Sequence, residues 1–183
     1  MPEETVNESE ALLADGSVPT TPSELLRRLE ELGIQSRTSM HAPVFTVEEA
    51  QAERAGQEEG GHIKNLFLRN KKGAMWLVTC LEDREVDLKA LGQRLGAGRF
   101  SFGSAERLMR YLGVLPGAVT PLAAINDRTG AVKVVVDKAL LEQAPIYAHP
   151  LVNDMTTAMA PEDLLRFLEA TDHPAEIIDL DAD

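Results

Sequence analysis

The chain of 183 residues has one cysteine, few aromatic residues and no long apolar run. The single thiol, Cys80, excludes an internal disulfide and any metal site built from several cysteines. Aromatic residues make up 4% of the chain and hydrophobic residues 44%, so we expect an aliphatic core. No apolar run approaches the roughly 18–20 residues that a membrane span needs. The acidic N-terminus lacks the features of a secretory signal, and we predict a cytoplasmic protein with no membrane partner.

Several motifs of enzyme chemistry are also absent. The chain contains neither a G-x-S-x-G nucleophile elbow nor a P-loop. Its four histidines show no spacing typical of a zinc site, and Cys80 lies in an apolar segment where packing is favoured over nucleophilic chemistry. We therefore expect no metal and no cofactor.

The net charge of −12 is distributed unevenly along the chain. Residues 61–138 contain 13 Lys and Arg against 7 Asp and Glu, a net of +6, whereas the segments on either side each carry −9. Such asymmetry indicates a polyanionic partner, although a solvated basic surface is an equally simple interpretation.

The pattern of helix and strand signals predicts one domain over residues 20–183 after a flexible acidic leader, residues 1–19. Thr21, Pro22 and Glu24 form a capping box that begins a helix ending near Gly33. Further helices are predicted from Thr46, over residues 87–95, from Ser104 to about residue 112, and over residues 161–170. Strands are predicted over residues 63–69, 74–80, 122–125, 132–136, 146–149, 154–159 and 175–180, with a short extended segment at 99–102. The result is an α/β chain of the α+β type, in which helices surround a mixed, largely antiparallel β-sheet.

Three places in the sequence are candidates for chemistry. The loop at residues 113–121 is rich in Gly and Pro, and the amides of Gly117, Ala118 and Val119 could stabilise an oxyanion; a helix stop is the simpler alternative. Lys64 begins a strand and could hold an anion, or it could be a solvated charge. His149, followed by Asn153, could orient a hydroxyl, an amine or a water molecule, or it could be a satisfied structural histidine.

Four motifs along the chain resemble those of the YbaK/prolyl-tRNA editing domain family, and together they span about residues 20–170. They are the run from Gly61 to Gly73, the loop at 113–121, His149-Pro150 with Asn153, and the segment 41–46 together with the first helix. The stand-alone prolyl-tRNA deacylases are the branch most similar to this chain.

The resemblance implies hydrolysis of mischarged tRNA, with Ala-tRNA(Pro) as the main expectation and Cys-, Ser- or Thr-charged tRNA as alternatives. A non-catalytic module that binds tRNA or a synthetase is a further alternative. The implied catalytic residues are Lys64, Gly117 and His149. The implied substrate-binding residues are His41, Asn65, Ala118, Val119, Pro121 and Asn153. The implied partners are the acceptor end of tRNA(Pro) and prolyl-tRNA synthetase. Ala118 stands where related chains often carry Ser.

Overall fold

The computed structural model describes residues 11–54 and 59–182. These residues contain five α-helices: α1 (Pro22–Glu31), α2 (Val47–Arg54), α3 (Leu88–Arg94), α4 (Ala105–Leu112) and α5 (Pro161–Ala170). They contain eight strands: β1 (Ser36–Met40), β2 (Gly61–Arg69), β3 (Met75–Leu81), β4 (Ser101–Phe102), β5 (Val132–Asp137), β6 (Ile146–Ala148), β7 (Met155–Met159) and β8 (Glu176–Ile178). Two 3₁₀ segments, Pro121–Asn126 and Lys138–Glu142, flank β5. In the two described ranges, no helix combines the length and the apolar character needed to cross a bilayer.

The strands form one mixed sheet in the order β1-β7-β6-β2-β3-β5-β8, with β4 also paired to β2. Among the described strands, four pairings are antiparallel and three are parallel. Strand β2 is central because it pairs with β6 through Gly61 and His62 and with β3 through residues 63–69. The predicted fold class, a mixed sheet with surrounding helices, is confirmed.

Helix α1 forms where its capping box predicted. The hydroxyl of Thr21 accepts a hydrogen bond from the amide of Glu24 at 3.2 Å, and it donates to the Glu24 carboxylate at 3.0 Å. Such a cap contributes about 1 kcal/mol because it satisfies amides that lack partners within the helix. Leu25 and Leu29, one turn apart on the apolar face, are fully buried. The helix is therefore fixed at its start by the cap and along its length by packing.

The core lies on both faces of the sheet, since alternate residues of a strand point to opposite sides. On β2, Phe67 packs with one cluster and Leu68 with another. The larger cluster joins the sheet to α1, α4 and α5, and its fully buried members include Leu25, Leu29, Leu77, Leu112, Leu164 and Phe167. The smaller cluster joins the opposite face to α3, with Trp76 and Phe100 in edge-to-face contact at 5.0 Å between ring centroids.

The strand predicted over residues 122–125 is wrong. Residues 121–126 form a 3₁₀ helix that begins at Pro121 and is capped by Thr120, whose hydroxyl accepts from the Leu122 amide at 3.3 Å. Proline at the first position favours a helical turn, and this local preference overrides the β-propensity of the segment. Strand β5 pairs instead with β3 and β8, both in parallel.

Part of the predicted leader packs on the domain. Residues 1–10 lie outside the described residues, but Leu13 is only 4% exposed and the amide of Ala14 donates to the carbonyl of Arg110 at 2.8 Å. The amide of Thr20 donates to the side chain of Asn126, which in turn donates to the carbonyl of Leu112. The described half of the segment thus contacts α4 and the 3₁₀ turn. The domain boundary at residue 20 stays a prediction.

Candidate active site

An open cleft of about 490 Å³ lies along the N-terminal half of β2. Strand β6, the segment after β1 and the loop at residues 113–121 complete its walls. Six of the nine predicted site residues line it: His41, Lys64, Asn65, Gly117, Val119 and His149. The cleft therefore brings together residues from four distant parts of the sequence.

Lys64 is the only Lys or Arg among the described residues that line the cleft. Its position on β2 is opposite Cys80 of β3, and its ammonium group donates a hydrogen bond to the carbonyl oxygen of Arg84. Cys80 is fully buried, and this burial raises the pKa of its thiol to about 11. The thiol is therefore protonated near neutral pH, as expected for a packing residue. Lys64 and Glu82 are the basic and the acidic residue of the described cleft lining.

His149 presents a neutral imidazole to the cleft. Its Nδ1 lies 2.9 Å from the carbonyl oxygen of Met155, so Nδ1 must carry the proton and donate it. Burial lowers the pKa of His149 below 6.5, and neighbouring His41 lowers it further; the Met155 hydrogen bond and Asp154 oppose this shift only in part. Within the described part of the chain, Nε2 has no hydrogen-bond partner. At neutral pH it is an unprotonated acceptor.

His41 lies beside His149, with the two ring centroids 6.3 Å apart. Its Nδ1 donates to the carbonyl of Ala42 at 2.7 Å, and its Nε2 is 2.7 Å from the hydroxyl of Thr156. In the neutral ring, Nε2 accepts this hydrogen bond from Thr156. These contacts fix the plane of His41, and Thr156 is itself a cleft residue outside the predicted set.

Gly117 adopts a backbone conformation that a residue with a side chain rarely takes, with φ at +91°. A Cβ atom at this position would lie 3.0 Å from the Phe45 ring and 3.5 Å from the Asn153 amide. The amide of Ala118 is committed to a turn, donating to the carbonyl of Leu115 at 3.0 Å. The amides of Gly117 and Val119 have no acceptor among the described residues, and they are the donors that remain for a ligand.

Three predicted residues lie outside the cleft lining. Ala118 is buried in the core, and Pro121 is buried at the start of the 3₁₀ turn. Asn153 donates its side-chain amide to the carbonyl of Val44 at 3.0 Å, which holds the segment after β1 against the connection between β6 and β7. Asn153 thus supports the backbone beside the cleft, whereas the side chain of Ala118 points into the core.

Asn65 lines the cleft, but its side chain is engaged with the protein on both sides. Its Nδ2 donates to the carbonyl of Val119 at 3.0 Å, and its Oδ1 accepts from the hydroxyl of Thr79 at 2.6 Å. Thr79 is fully buried on β3. This chain of hydrogen bonds ties the Gly-rich loop to the sheet, so Asn65 positions the loop.

Two large apolar side chains outside the predicted set of site residues are those of Phe45 and Met40. Both line the cleft, with 66% and 80% of their surfaces exposed. Phe45 directly precedes Thr46, whose hydroxyl caps α2 by accepting from the Glu49 amide at 3.0 Å. A hydrophobic residue before an N-cap often packs on its own helix. The local pattern therefore predicts a helix contact for Phe45 and not a position at the cleft.

The cleft offers imidazole, ammonium and amide groups but no metal-binding arrangement. Across residues 11–54 and 59–182, no three His, Cys, Asp or Glu side chains come together in a way that could hold a metal ion. What the arrangement can do is bind an anion at Lys64, accept a proton at His149 and donate two amides to a developing negative charge.

Comparison with known families shows which family this protein belongs to. The family model for the aminoacyl-tRNA editing domain matches residues 41–167, which include every cleft residue except Ser39 and Met40. The chain belongs to the aminoacyl-tRNA editing domain family. Prolyl-tRNA editing protein ProX of Acetoanaerobium sticklandii is 37% identical to this editing domain over 158 residues, covering 85% of this chain and 95% of ProX. Prolyl-tRNA synthetase associated domain-containing protein 1 of Mus musculus is 40% identical over 164 residues, covering 87% and 96%.

Solved structures support the same fold. A crystal structure provisionally described as a trans-editing enzyme for prolyl tRNA synthetase matches 90% of the editing domain and 99% of its own chain, with a TM-score of 0.67 and 22% identity. The hypothetical protein APE2540 matches 82% and 95%, with a TM-score of 0.66 and 22% identity. At this identity, the likeness shows the fold alone. Family membership and the curated relatives together support a trans-editing deacylase in general.

Proposed function

We propose that this editing domain hydrolyses the ester of mischarged tRNA in trans, with Ala-tRNA(Pro) as its preferred substrate. The observation that carries the proposal is the meeting of Lys64, Gly117 and the neutral His149 in one open cleft. An ammonium group can bind the phosphate of the substrate, free backbone amides can stabilise the oxyanion, and an unprotonated imidazole can accept a proton from water. The name of the ProX relative supports the choice of prolyl-tRNA.

His149 acts on water in this mechanism. Its Nε2 accepts a proton as the water oxygen attacks the carbonyl carbon of the ester. When the tetrahedral intermediate collapses, the bond from this carbon to the ribose oxygen breaks, and the ribose oxygen takes up the proton. The products are the free amino acid and the tRNA with its terminal hydroxyl restored. Because the ester is already activated, positioning and charge stabilisation supply the catalysis without a covalent intermediate.

The amides of Gly117 and Val119 stabilise the oxyanion of the intermediate. Preorganised donors of this kind act most strongly where charge develops during the reaction. The hydrogen bond from Asn65 to the Val119 carbonyl at 3.0 Å keeps this part of the loop in place. Lys64 holds the phosphate of the terminal adenosine, as the family resemblance implies, and so sets the ester over the loop.

Specificity comes from the size of the space beside Gly117. The Phe45 ring stands close enough to Gly117 to contact a single added carbon atom. The alanyl group fits such a space, whereas the prolyl ring is larger and is excluded by steric overlap. Excluding a larger residue discriminates strongly, while a missing methylene discriminates by only about 1–3 kcal/mol. Seryl and cysteinyl esters are small enough to compete.

The partners follow from the substrate. The acceptor end of tRNA(Pro) enters the cleft, and prolyl-tRNA synthetase, the enzyme that makes the error, is the protein partner. The reaction takes place in the cytoplasm, where charged tRNA is used. The basic residues of the middle segment contact the tRNA backbone, so binding weakens as salt is raised.

The test is deacylation of Ala-tRNA(Pro) and Pro-tRNA(Pro), measured separately with the purified protein. Lys64→Ala is the principal variant. Lys133→Ala is the matched control, because Lys133 is an exposed lysine of β5 outside the cleft. We expect loss of the alanyl ester only, with Lys64→Ala nearly inactive and Lys133→Ala retaining its kcat.

The other outcomes are equally informative. Hydrolysis of Cys-, Ser- or Thr-charged tRNA in place of the alanyl ester would keep the reaction and correct the substrate. Full activity in Lys64→Ala would overturn the role of Lys64. Tight tRNA binding without hydrolysis of any ester would show a binding module instead of an enzyme.

A further inference from the structure

A buried carboxylate lies behind the cleft and is not used by the proposed reaction. Asp137 ends strand β5 with no exposed surface. Its Oδ1 accepts from the amide of Leu180 at 3.1 Å, whereas its Oδ2 has no hydrogen-bond partner among the described residues. An ionised carboxylate in such a place is costly unless a cation lies close. The cation is Arg84, whose Nε is 3.5 Å from Oδ2.

Arg84 also binds a second carboxylate from the C-terminal segment. Its two terminal nitrogens contact the two oxygens of Asp181, with Nη2 at 2.9 Å from Oδ2. This bidentate arrangement fixes the plane of the guanidinium group more firmly than a single contact does. Arg94 of α3 donates to the carbonyl of Asp179, which ties the same segment down nearby. Arg84 is therefore held from two sides, by the last residue of β5 and by a residue that follows β8.

The backbone of Arg84 makes the contact that matters for the cleft. Its carbonyl oxygen accepts the hydrogen bond from the ammonium group of Lys64. The amide of Arg84 donates to the carbonyl of Leu81 at 3.1 Å, so the residue sits in the turn directly after β3. The position of the Lys64 ammonium group thus depends on where this turn is held.

We infer that Arg84, clamped by Asp137 and Asp181, is a positioning residue that sets the location of the Lys64 ammonium group in the cleft. The C-terminal segment then acts on the active site without contacting substrate. The inference rests on the proposed function for its catalytic consequence, but not for its structural part. Removing the clamp leaves the carbonyl of Arg84 in a looser turn, and Lys64 samples other rotamers.

The test uses two variants that keep the buried charge of Asp137 paired. Arg84→Lys retains the cation but loses the bidentate fork. Asp181→Asn alters an exposed carboxylate, 70% of whose side-chain surface is accessible, so folding is preserved. Asp15→Asn is the matched control, because Asp15 pairs with Arg128 on the surface at 4.0 Å and away from the cleft. Thermal melting is measured first, to verify that all three variants are folded.

The first measurement is the rate at which an amine-reactive acylating reagent labels each lysine, followed by peptide mass spectrometry. We expect Lys64 to label about threefold faster in Arg84→Lys and Asp181→Asn, the scale of losing one modest hydrogen bond. Lys133 serves as the internal reference and should not change. Equal labelling of Lys64 in all the variants would overturn the inference.

The second measurement is deacylation kinetics with Ala-tRNA(Pro). We expect kcat/KM to fall about threefold to tenfold in both variants at unchanged melting temperature, since misplacing a binding group weakens catalysis. In a Lys64→Ala background, the same changes should have no further effect on tRNA binding. A further loss of tRNA binding in the Lys64→Ala background would show that the two changes do not act through Lys64, and it would refute the inference. Faster labelling without hydrolysis of any ester would support the clamp and reject the proposed function.

Discussion

His149 and His173 are held in two different ways, and their pKa values move in opposite directions. His149 lies half-buried at the cleft, with one carbonyl acceptor at Nδ1 and another histidine as its neighbour. His173 is buried after α5, with Nε2 at 2.8 Å from the carboxylate of Asp127 and Nδ1 against the carbonyl of Thr171. Both rings lose water, but only His173 gains a hydrogen-bonded carboxylate in exchange.

The pKa shifts follow from these partners. Burial lowers the pKa of His173, but the hydrogen bonds to Asp127 and Thr171 outweigh it and leave the pKa above 6.5. For Asp127, burial raises the pKa, while hydrogen bonds from His173, Val132 and Ala131 outweigh it and leave the pKa below 3.8. For His149, the Met155 hydrogen bond and the nearby charge of Asp154 do not offset burial, so its pKa is lowered. A hydrogen-bonded carboxylate thus raises the pKa of one histidine, and burial lowers the pKa of the other.

The largest effect should come from removing the carboxylate of the buried pair. Asp127→Ala leaves His173 without its counter-charge and also removes the acceptor for the Val132 amide at 2.8 Å. Breaking a buried pair at one partner costs about 3–5 kcal/mol in the free energy of unfolding. Urea denaturation measures this loss. Glu31→Gln, which removes the exposed partner of Arg28, is the control and should change the free energy by less than about 0.5 kcal/mol. Equal losses in the two variants would contradict the importance of the buried pair.

The next largest effect should come from the cleft histidine. His149→Asn keeps a side-chain donor for the Met155 carbonyl but has no counterpart of Nε2. We expect deacylation to fall about 100-fold, the lower range for loss of a general base, with the unfolding free energy changed by less than about 1 kcal/mol. Single-turnover kinetics and urea denaturation on the same sample separate the two quantities. Retention of full activity would show that His149 does not act on water.

A smaller effect is expected at Gly117. In Gly117→Ala the new Cβ must adopt φ near +91° and approach the Phe45 ring at 3.0 Å. The strain costs about 1–2 kcal/mol, and shifting the amide should lower kcat/KM about tenfold, less than the full loss of an oxyanion donor. Adding Phe45→Leu should restore part of kcat/KM, because it removes the contact but not the strain. If the double variant had the same kcat/KM as Gly117→Ala, the whole loss would come from the strained backbone and none from the contact with Phe45.

The smallest effect concerns pH and separates the two histidines directly. Because the folded pKa of His173 is raised, its contribution to stability is complete below about pH 6.5, the unfolded value, and is lost as pH rises through the folded pKa. Asp127, with a lowered pKa, contributes above about pH 3.9 and loses its contribution as pH falls through its folded pKa. His149 must be neutral to act, so activity should persist below pH 6.5 and fall only as pH drops through its lowered pKa. Between pH 6.5 and 8, stability should therefore decline while kcat stays level; parallel profiles would contradict the separate roles.

Local signals in the sequence predicted local structure well. The Thr21 box, the Ser104 cap and the helix end at Gly113 are contacts within a few residues, and each occurs in the fold. Strand β1 was missed because its residues, Ser36–Met40, are polar and largely exposed and show no apolar alternation. Its pairing with β7 at the edge of the sheet depends on backbone hydrogen bonds, which leave little trace in the side chains.

Resemblance to a family named nine candidate site residues, and the fold brings six of them to one cleft, including Lys64, Gly117 and His149. Their roles stay a prediction. The resemblance could not show that Asn65 and Asn153 hold backbone carbonyls, since their partners lie 54 and 109 residues away. The contact between His173 and Asp127 leaves no local signal for the same reason, because the two residues are 46 positions apart. Contacts of this range depend on the packed sheet and are not encoded by spacing.

Strand β2 carries Lys64 and Asn65 on opposite faces, since Lys64 is paired with Cys80 and Asn65 with Thr79 across the ladder. Inserting or deleting one residue in this strand would exchange the two faces and exchange the ammonium group for the amide. The number of residues in β2 therefore decides which of the two side chains reaches the Arg84 carbonyl and which reaches the Val119 carbonyl.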